Sequence, residues 1–303
     1  MRMFYKVFLV VVLMLATSLV RADLMEPEVW FSATELRPGD FIQVKVKAPG
    51  DALVRVYFRD STRELWKNDQ DEFIGFLPVS YYNTPGEYQV SVLVKTAAYN
   101  WTKSSPIRLI ERKFTESRVY VPETTRKEIL SDANTESDAK ITTKTRLEAV
   151  QTGTLPLWNG PFIWPVKGRI STGFGRIRYV NNIDNGRHSG LDIVSPAGTQ
   201  VLAANRGRVV YAGNLYVTGL TVMVHHGLNL FTSYCHLSSI AVKQGELIEK
   251  GSVLGKVGST GLSTGPHLHL TFKIDEVSVD PALFLERSVE WDFPKPETSI
   301  QGT

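Results

Sequence analysis

The sequence predicts a mainly β fold with two domains and a polar segment between them. Short stretches in which apolar and polar residues alternate recur in two regions of the 303-residue chain. Successive side chains of a strand point to opposite faces, so this alternation indicates half-buried strands. Pro-Gly pairs in the first region and dense glycines in the second supply the tight turns that short strands require. Residues 121–154, between the two regions, lack the alternation.

Residues 23–120 are predicted to form an immunoglobulin-like β-sandwich. The alternation is clearest in three segments, 41–46, 53–58 and 87–94. Several short strands separated by regular turn signals are typical of such a sandwich. This region contains no histidine and no group of residue types associated with catalysis. We therefore expect the chemistry to lie in another part of the chain.

Residues 121–154 have a polar composition rich in Thr, Ser, Lys, Asp and Glu. Because it has few apolar residues to bury, this segment is predicted to be a solvated linker with some helix. The alternative is a regulatory segment that covers a functional site. A second β domain is predicted over 155–286, and the tail over 287–303 is predicted to be irregular.

The N-terminus has the features of an export signal. An apolar run over 7–20 follows a short basic start, and small residues stand at Val20 and Ala22. Residues 1–22 are therefore predicted to be a cleaved signal peptide, with a retained signal anchor as the alternative. The run is shorter than the roughly 20 residues that span a bilayer. We expect an exported protein of the periplasm, cell wall or extracellular space, with membrane contact only through such an anchor.

Composition narrows the possible partners and the source of stability. The formal net charge of +3 comes without any run of Lys and Arg interleaved with aromatic residues, so nucleic-acid binding is not expected. The single cysteine, Cys235, cannot form an internal disulfide. An exported chain of this kind must gain its stability from its core, and we expect Cys235 to be a small buried residue.

All six histidines lie between His188 and His269, which indicates one functional site. His267 and His269 are two residues apart and share one face of a predicted strand. His188 and Asp192 lie in a segment that favours extended structure, in which Gly190 leaves room between them. A histidine and a carboxylate suit Zn²⁺, although a buried His–Asp hydrogen bond is the alternative.

The remaining three histidines are expected to have different roles. His236 lies two residues after Tyr234, so the two side chains are predicted to share a face of a strand, with Cys235 on the other face. His225 and His226 precede a glycine near a strand end, and we assign neither to a metal.

Taken together, these motifs resemble the lysostaphin-type (LytM-like) zinc endopeptidases over roughly residues 160–285. The family fold is a largely antiparallel β structure with a groove across one sheet, and the resemblance implies this fold for the second domain. The motifs that carry the resemblance are Trp164-Pro-Val-Lys-Gly-Arg-Ile-Ser-Thr-Gly-Phe-Gly175, His188-x-x-x-Asp192, Tyr234-x-His236-Leu237 and Gly261-Leu-Ser-Thr-Gly-Pro-His267-Leu-His269.

The resemblance implies that His188, Asp192 and His269 bind one Zn²⁺ ion and that His236 and His267 are catalytic. Spacing alone leaves open which of His267 and His269 is the ligand. Three protein ligands leave a fourth position for water, which is typical of a catalytic zinc site. The chain has no His-Glu-x-x-His motif, so the two catalytic histidines are expected to handle the proton and the oxyanion charge.

The implied substrate is the peptide part of peptidoglycan, and the implied activity is hydrolysis of its cross-links. The predicted export signal agrees with a substrate outside the cytoplasm. The main alternative is a non-catalytic peptidoglycan-binding or amidase-activating protein on the same fold, which would have no chemical need for the five residues. A further alternative is a zinc protease that acts on proteins.

Overall fold

The computed structural model describes residues 26–59, 61–151, 155–287 and 289. The predicted signal peptide and nearly all of the predicted tail lie outside these residues. The described chain is built mainly from antiparallel sheets, in agreement with the predicted mainly β class. No helix among the described residues is both long enough and apolar enough to cross a bilayer.

The N-terminal domain consists of two sheets that pack on one apolar core. Ile42 and Val46 of the first sheet, and Val54 and Val92 of the second, are fully buried in this core. The sandwich of two sheets follows from the alternation, whereas its immunoglobulin-like connectivity stays a prediction. The first sheet has the order β1 (Glu28–Phe31), β3 (Phe41–Lys47), β7 (Glu72–Pro78), β6 (Trp66–Lys67). The second has the order β2 (Glu35–Leu36), β9 (Asn100–Leu109), β8 (Gly86–Lys95), β4 (Leu53–Phe58), β5 (Ser61–Glu64).

A ten-stranded antiparallel sheet forms the C-terminal domain. Its core face buries Tyr234, Leu268, Leu270 and Phe272. The strands of its main path are, in order, β11 (Arg169–Thr172), β14 (Leu191–Val194), β21 (His267–Ile274), β18 (Leu230–Ile240), β17 (Gly219–His225), β16 (Gly207–Leu215) and β19 (Leu247–Ile248). Beside this path lie β15 (Gln200–Leu202), β20 (Val253–Val257) and β22 (Val277–Val279), and the short helix α3 (Ala282–Leu285) follows.

The segment between the domains is folded onto the C-terminal domain. The strand β10 (Glu116–Val119) pairs in parallel with β12 (Ile177–Val180), and β12 pairs with β13 (Ile183–Arg187), so that a small sheet of three strands forms. Two helices follow β10, α1 (Glu123–Ile129) and α2 (Asp132–Gln151). The helices agree with the expected helical content. The packing of this segment against the C-terminal domain differs from the solvated linker that the sequence predicts.

Two charged side chains attach α2 to the C-terminal domain. The carboxylate of Asp138 accepts hydrogen bonds from the backbone N–H groups of Tyr216 and Val217, at 3.0 and 2.7 Å. The guanidinium of Arg146 donates two hydrogen bonds to Glu276, at 2.7 and 2.6 Å. Both side chains are buried, so α2 is anchored by charge-assisted hydrogen bonds and needs only a narrow apolar contact.

The two domains share an interface beside the β21–β22 hairpin. Arg63 donates a hydrogen bond to Asp275 at 2.7 Å. The ring of Phe41 stacks on the ring of Phe284, with centroids 4.6 Å apart. Ion pairs with partly buried side chains and stacked rings both stabilise a contact of this kind, so the N-terminal domain has a defined position against the sheet.

We expect replacement of Asp138 by Ala to lower the free energy of unfolding by about 1–3 kcal/mol, because two backbone N–H donors lose a buried, charged acceptor. Urea unfolding followed by circular dichroism measures this change. The matched control is Glu136→Ala on the same helix, whose exposed carboxylate pairs with Lys140 and should change stability by no more than about 0.5 kcal/mol. Equal stabilities of the two variants would contradict the proposed anchoring of α2.

Candidate metal centre and active site

Strand pairing brings two of the predicted ligands together. In the antiparallel pair of β14 and β21, Asp192 lies directly opposite His269, and Val194 lies opposite His267. Directly opposite residues point to the same face of a sheet, so both side chains leave the sheet on one side. Leu191, Leu268 and Leu270 occupy the other face and are buried in the core.

His188 reaches the same point from the segment just before β14. Its backbone N–H donates to the carbonyl of Arg176, and its carbonyl accepts from the N–H of Gly175, which fixes the segment against the start of β12. A Cβ atom added at Gly190 would lie 2.0 Å from the carbonyl oxygen of Leu270. Glycine is therefore required for close approach of the two backbones, in addition to the room that the sequence suggested.

The side chains of His188, Asp192 and His269 converge on one point, and we call them the His-Asp-His group. Nε2 of His188 lies 2.9 Å from Oδ1 of Asp192 and 3.0 Å from Nδ1 of His269. Nδ1 of His269 lies 2.8 Å from the same carboxylate oxygen. All three residues are buried, and this is the one group of potential metal donors found among the described residues.

The hydrogen bonds behind these donor atoms fit a cation at the centre. Nδ1 of His188 lies 2.9 Å from the carbonyl oxygen of Gly173, an acceptor, so this nitrogen must carry the ring proton and Nε2 presents its lone pair. Nε2 of His269 lies 3.0 Å from the hydroxyl of Thr271, which can accept a hydrogen bond from the Nε2–H group, so that Nδ1 presents its lone pair. Three lone-pair atoms that face one another in a buried site repel unless a cation lies between them.

The charge states of the group also suit a metal. Burial alone would raise the pKa of Asp192, but His188 and His269 beside the carboxylate outweigh burial and hold this pKa well below its usual range. Burial lowers the pKa of His269 to about 4. At neutral pH Asp192 is therefore a carboxylate and His269 a neutral imidazole, which are the forms that bind metal ions.

The two histidines predicted to be catalytic lie beside this group. The ring centroids of His236 and His267 are 4.7 Å apart. Nδ1 of His236 donates to the carbonyl of Thr260 at 2.7 Å, and Nδ1 of His267 donates to the carbonyl of Gly265 at 2.8 Å. Each ring therefore keeps its lone pair on Nε2. Burial lowers the pKa of His236 to about 3, so this ring is neutral at pH 7.

Nε2 of His267 points towards the His-Asp-His group. It lies 3.8 Å from Oδ1 of Asp192 and is buried without a hydrogen bond to any residue that the structure describes. A buried nitrogen without a partner is costly in a folded protein. Its position next to the convergence point marks it as an acceptor for a group that enters the site.

The predicted faces of the His236 segment are wrong, and a β-bulge is the reason. Leu220 pairs with Leu237 and Val222 pairs with Tyr234, so Cys235 and His236 together oppose a single residue of β17. His236 has a φ of 59°, in the left-handed region. The bulge interrupts the alternation of faces, so that His236 does not share the face of Tyr234.

The strand register places Tyr234 and Cys235 on opposite faces of β18. Tyr234 is fully buried in the core, and its hydroxyl accepts the N–H of Ala204 at 2.8 Å. Cys235 lies opposite His269 in the pairing of β18 with β21, on the face of the His-Asp-His group and not on the opposite one. It is buried as predicted, and burial raises the pKa of its thiol to about 12, so it remains a neutral thiol.

His225 and His226 lie in the core of the domain, and neither belongs to the His-Asp-His group. His226 lies 2.8 Å from the carbonyl oxygen of Arg206 through Nδ1 and 2.8 Å from the hydroxyl of Thr232 through Nε2. The ring of His225 stacks on Phe231, with centroids 4.6 Å apart. Burial lowers the pKa of each histidine to about 4, so both are neutral structural residues.

Sequence reasoning missed one residue of the site, Arg178. Its Nη2 lies 4.0 Å from Oδ2 of Asp192, and its Nε is buried without a hydrogen bond to any described residue. The basic alternation of Arg176 and Arg178 was the available signal. The sequence alone did not connect it to the site, because β12 belongs to the small sheet whose partner strand comes from the interdomain segment.

An open groove of about 470 Å³ lies beside the His-Asp-His group. Asp192 and His267 contribute to its lining, so the convergence point is accessible from the groove. Most of the remaining lining comes from β10, β11, β12 and the loop 262–266. The groove provides room for an extended chain to pass Asp192 and His267.

The C-terminal domain is similar to known peptidases. The family model described as Peptidase family M23 matches residues 186–281. The cell division protein DipM of Caulobacter vibrioides is 41% identical over 135 residues, which make up 42% of this chain and 21% of DipM. The peptidoglycan DD-endopeptidase ShyA of Vibrio cholerae is 43% identical over 82 residues, which make up 27% of this chain and 19% of ShyA. The chain thus matches only about a fifth of the length of these two relatives.

Similarity to solved structures can extend over both domains. A crystal structure from Pseudomonas aeruginosa, assigned to peptidase M23, has a TM-score of 0.59 at 28% sequence identity. The similarity covers 82% of this chain and 94% of the other. It therefore extends well beyond the region that the family model matches.

We expect Gly190→Ala to lower the free energy of unfolding by about 1–3 kcal/mol, because the added methyl group must push β14 away from the backbone of β21. Thermal and urea unfolding of metal-free protein measure the loss. The matched control is Gly265→Ala, where an added Cβ has no heavy atom within 4 Å. Gly190→Ala protein that is as stable as the Gly265→Ala protein would contradict the required close approach.

Proposed function

Because the C-terminal domain of this chain belongs to peptidase family M23, we propose that the protein is an exported zinc endopeptidase that hydrolyses peptide cross-links of peptidoglycan. The observation that carries the proposal is the convergence of His188, Asp192 and His269 beside two further histidines with fixed tautomers. The family match supports the reaction class, and the side-chain geometry supports the choice of residues that would perform it.

The His-Asp-His group would hold the metal ion. Nε2 of His188, Oδ1 of Asp192 and Nδ1 of His269 are the donor atoms that face one another. Two imidazole nitrogens and one carboxylate oxygen suit Zn²⁺, and three protein donors are typical of catalytic rather than structural zinc sites. A bound zinc ion supplies Lewis acidity, which activates water at neutral pH and polarises the scissile carbonyl group.

His236 and His267 would handle the protons of the reaction. Each ring is held by a backbone carbonyl through Nδ1, so Nε2 is free to accept a proton from water in the site. The resulting imidazolium can donate that proton to the leaving amine, or can stabilise negative charge on the carbonyl oxygen. The backbone hydrogen bonds keep both rings oriented during this exchange.

Peptidoglycan is the substrate that agrees with two independent observations. The relative ShyA is named as a peptidoglycan DD-endopeptidase, and its similarity lies within the M23 region. The N-terminal sequence predicts export, which brings the protein to the compartment that contains this polymer. A purely peptidoglycan-binding or amidase-activating role is less well supported, because it needs neither converging donors nor oriented histidines.

Variants separate the metal ligands from the catalytic histidines. We expect His269→Ala in protein comprising residues 23–303 to lose most bound zinc, which is about one ion per chain in the unmodified protein. His236→Ala should keep its zinc and lose about 10²–10⁴-fold in hydrolysis rate, because a proton acceptor is removed without a ligand. Elemental analysis measures zinc, and mass spectrometry of fragments released from purified peptidoglycan measures hydrolysis.

The outcomes of this comparison are distinct. Loss of zinc in both variants would contradict the division of roles, and full hydrolysis by His236→Ala would contradict its catalytic role. Unmodified protein that binds zinc but releases no fragments from peptidoglycan would contradict the proposed substrate. A parallel digest of a glycine-rich protein tests the alternative of a general protease.

Removal of the metal should act through the same site. We expect a chelator to abolish fragment release and added Zn²⁺ to restore it, because the Lewis acid that would activate water is removed and then replaced. Full activity of protein in which elemental analysis detects no bound metal would contradict a metal-dependent reaction.

A further inference from the structure

The groove beside the His-Asp-His group is strongly cationic. Three arginines line it, Arg118, Arg176 and Arg178, and Asp192 is the only acidic residue among the described residues of its lining. Asp192 already belongs to the proposed metal centre, and the rest of the lining contains arginines and no acidic residue. A cationic lining with low-dielectric walls favours an anionic ligand.

The three arginines differ in how far neighbouring groups compensate their positive charge. Nη2 of Arg118 donates to Glu116 at 2.8 Å, and its guanidinium lies 4.4 Å from the centroid of the Tyr179 ring. The charge of Arg118 is therefore largely compensated within β10 and β12. Arg176 directly precedes β12, Arg178 is its second residue, and both line the groove. These two arginines are the available cations.

Arg178 has an unsatisfied donor in the site. Its Nε is buried and makes no hydrogen bond to any part of the chain that the structure describes. Its nearest carboxylate oxygen, Oδ2 of Asp192, lies 4.0 Å from Nη2, beyond the length of a hydrogen bond. A buried guanidinium donor without a protein acceptor is costly, so an acceptor from a ligand would satisfy it.

Guanidinium geometry selects the kind of acceptor. The planar fork of arginine matches the two oxygens of a carboxylate, and charge-assisted pairs of this kind are stronger than neutral hydrogen bonds. Two such forks in the lining of the groove would hold a carboxylate that belongs to a residue near the scissile bond. A peptide without side-chain or α-carboxylate groups at that position would leave both donors unpaired.

We propose that Arg176 and Arg178 form a carboxylate-binding subsite that makes the groove selective for acidic peptides. The proposal rests on the proposed function, since it assigns the chemical class of the peptide that passes the metal centre. It adds two positioning residues from outside the predicted motifs, and it gives the small sheet of β10, β12 and β13 a role in substrate choice.

The test uses two peptides that differ by one charge. One probe is N-acetyl-L-alanyl-γ-D-glutamyl-L-lysyl-D-alanine amide, and the other has the glutamyl α-carboxylate replaced by a carboxamide. Binding of each to metal-free protein comprising residues 23–303 is measured by NMR titration at low salt, because metal coordination then cannot mimic the arginines. We expect the carboxylate peptide to bind about ten-fold more tightly or better.

Variants assign this preference to the two arginines. Arg176→Gln and Arg178→Gln should each reduce the preference, and the double variant should bind the two peptides equally. Arg178→Lys, which keeps the charge but loses the fork, should give an intermediate preference. The matched control is Arg208→Gln on β16, which removes the same charge away from the groove and should keep the full preference.

The outcomes separate this proposal from the proposed function. Equal binding of both peptides by the unmodified protein, or a full preference in the double variant, would overturn the carboxylate subsite even if the protein cleaves peptidoglycan. A preference that depends on the arginines in protein that cleaves nothing would support the subsite and overturn the hydrolase. Zinc content is measured in each variant as a control for folding. It should be unchanged in Arg176→Gln, whereas a general loss of structure would lower it.

Discussion

The pairing of β14 with β21 is the constraint on which the candidate site depends. Asp192 lies opposite His269 only in this register, and a slip by one residue would move one side chain of each pair to the opposite face of the sheet. The register is fixed from the other face, where Ile193 lies opposite Leu268 in the apolar core. Core burial and site geometry are therefore set by the same alternation of residues.

This coupling explains how much of the site could be predicted from the sequence. The period of two placed His267 and His269 on one face, and the extended segment around Gly190 placed His188 near Asp192. The period failed at His236, because a β-bulge adds one residue to β18 and changes the face. A bulge depends on the pairing of two strands that are distant in sequence, so the local pattern of one strand does not contain it.

The architecture shows the same division between local and long-range information. The two-sheet N-terminal domain and the antiparallel C-terminal sheet followed from local alternation and turns. Arg178 did not, since its strand β12 enters the site through parallel pairing with β10, which is almost sixty residues earlier in the chain. The polar segment likewise gave no signal of its packing, because Asp138 and Arg146 attach it through charged hydrogen bonds instead of an apolar stripe.

The polar segment has a structural role that its composition does not indicate: it is part of the connection between β10 and β12. Parallel strands cannot be joined by a tight turn and need a long crossover connection, which between β10 and β12 includes α1 and α2. The anchors of α2 hold this crossover against the C-terminal domain, and β10 in turn forms part of the groove lining next to Arg178. In physical terms, the C-terminal structural unit therefore begins at β10, so a boundary drawn at residue 155 would remove part of the groove together with the helix that holds it.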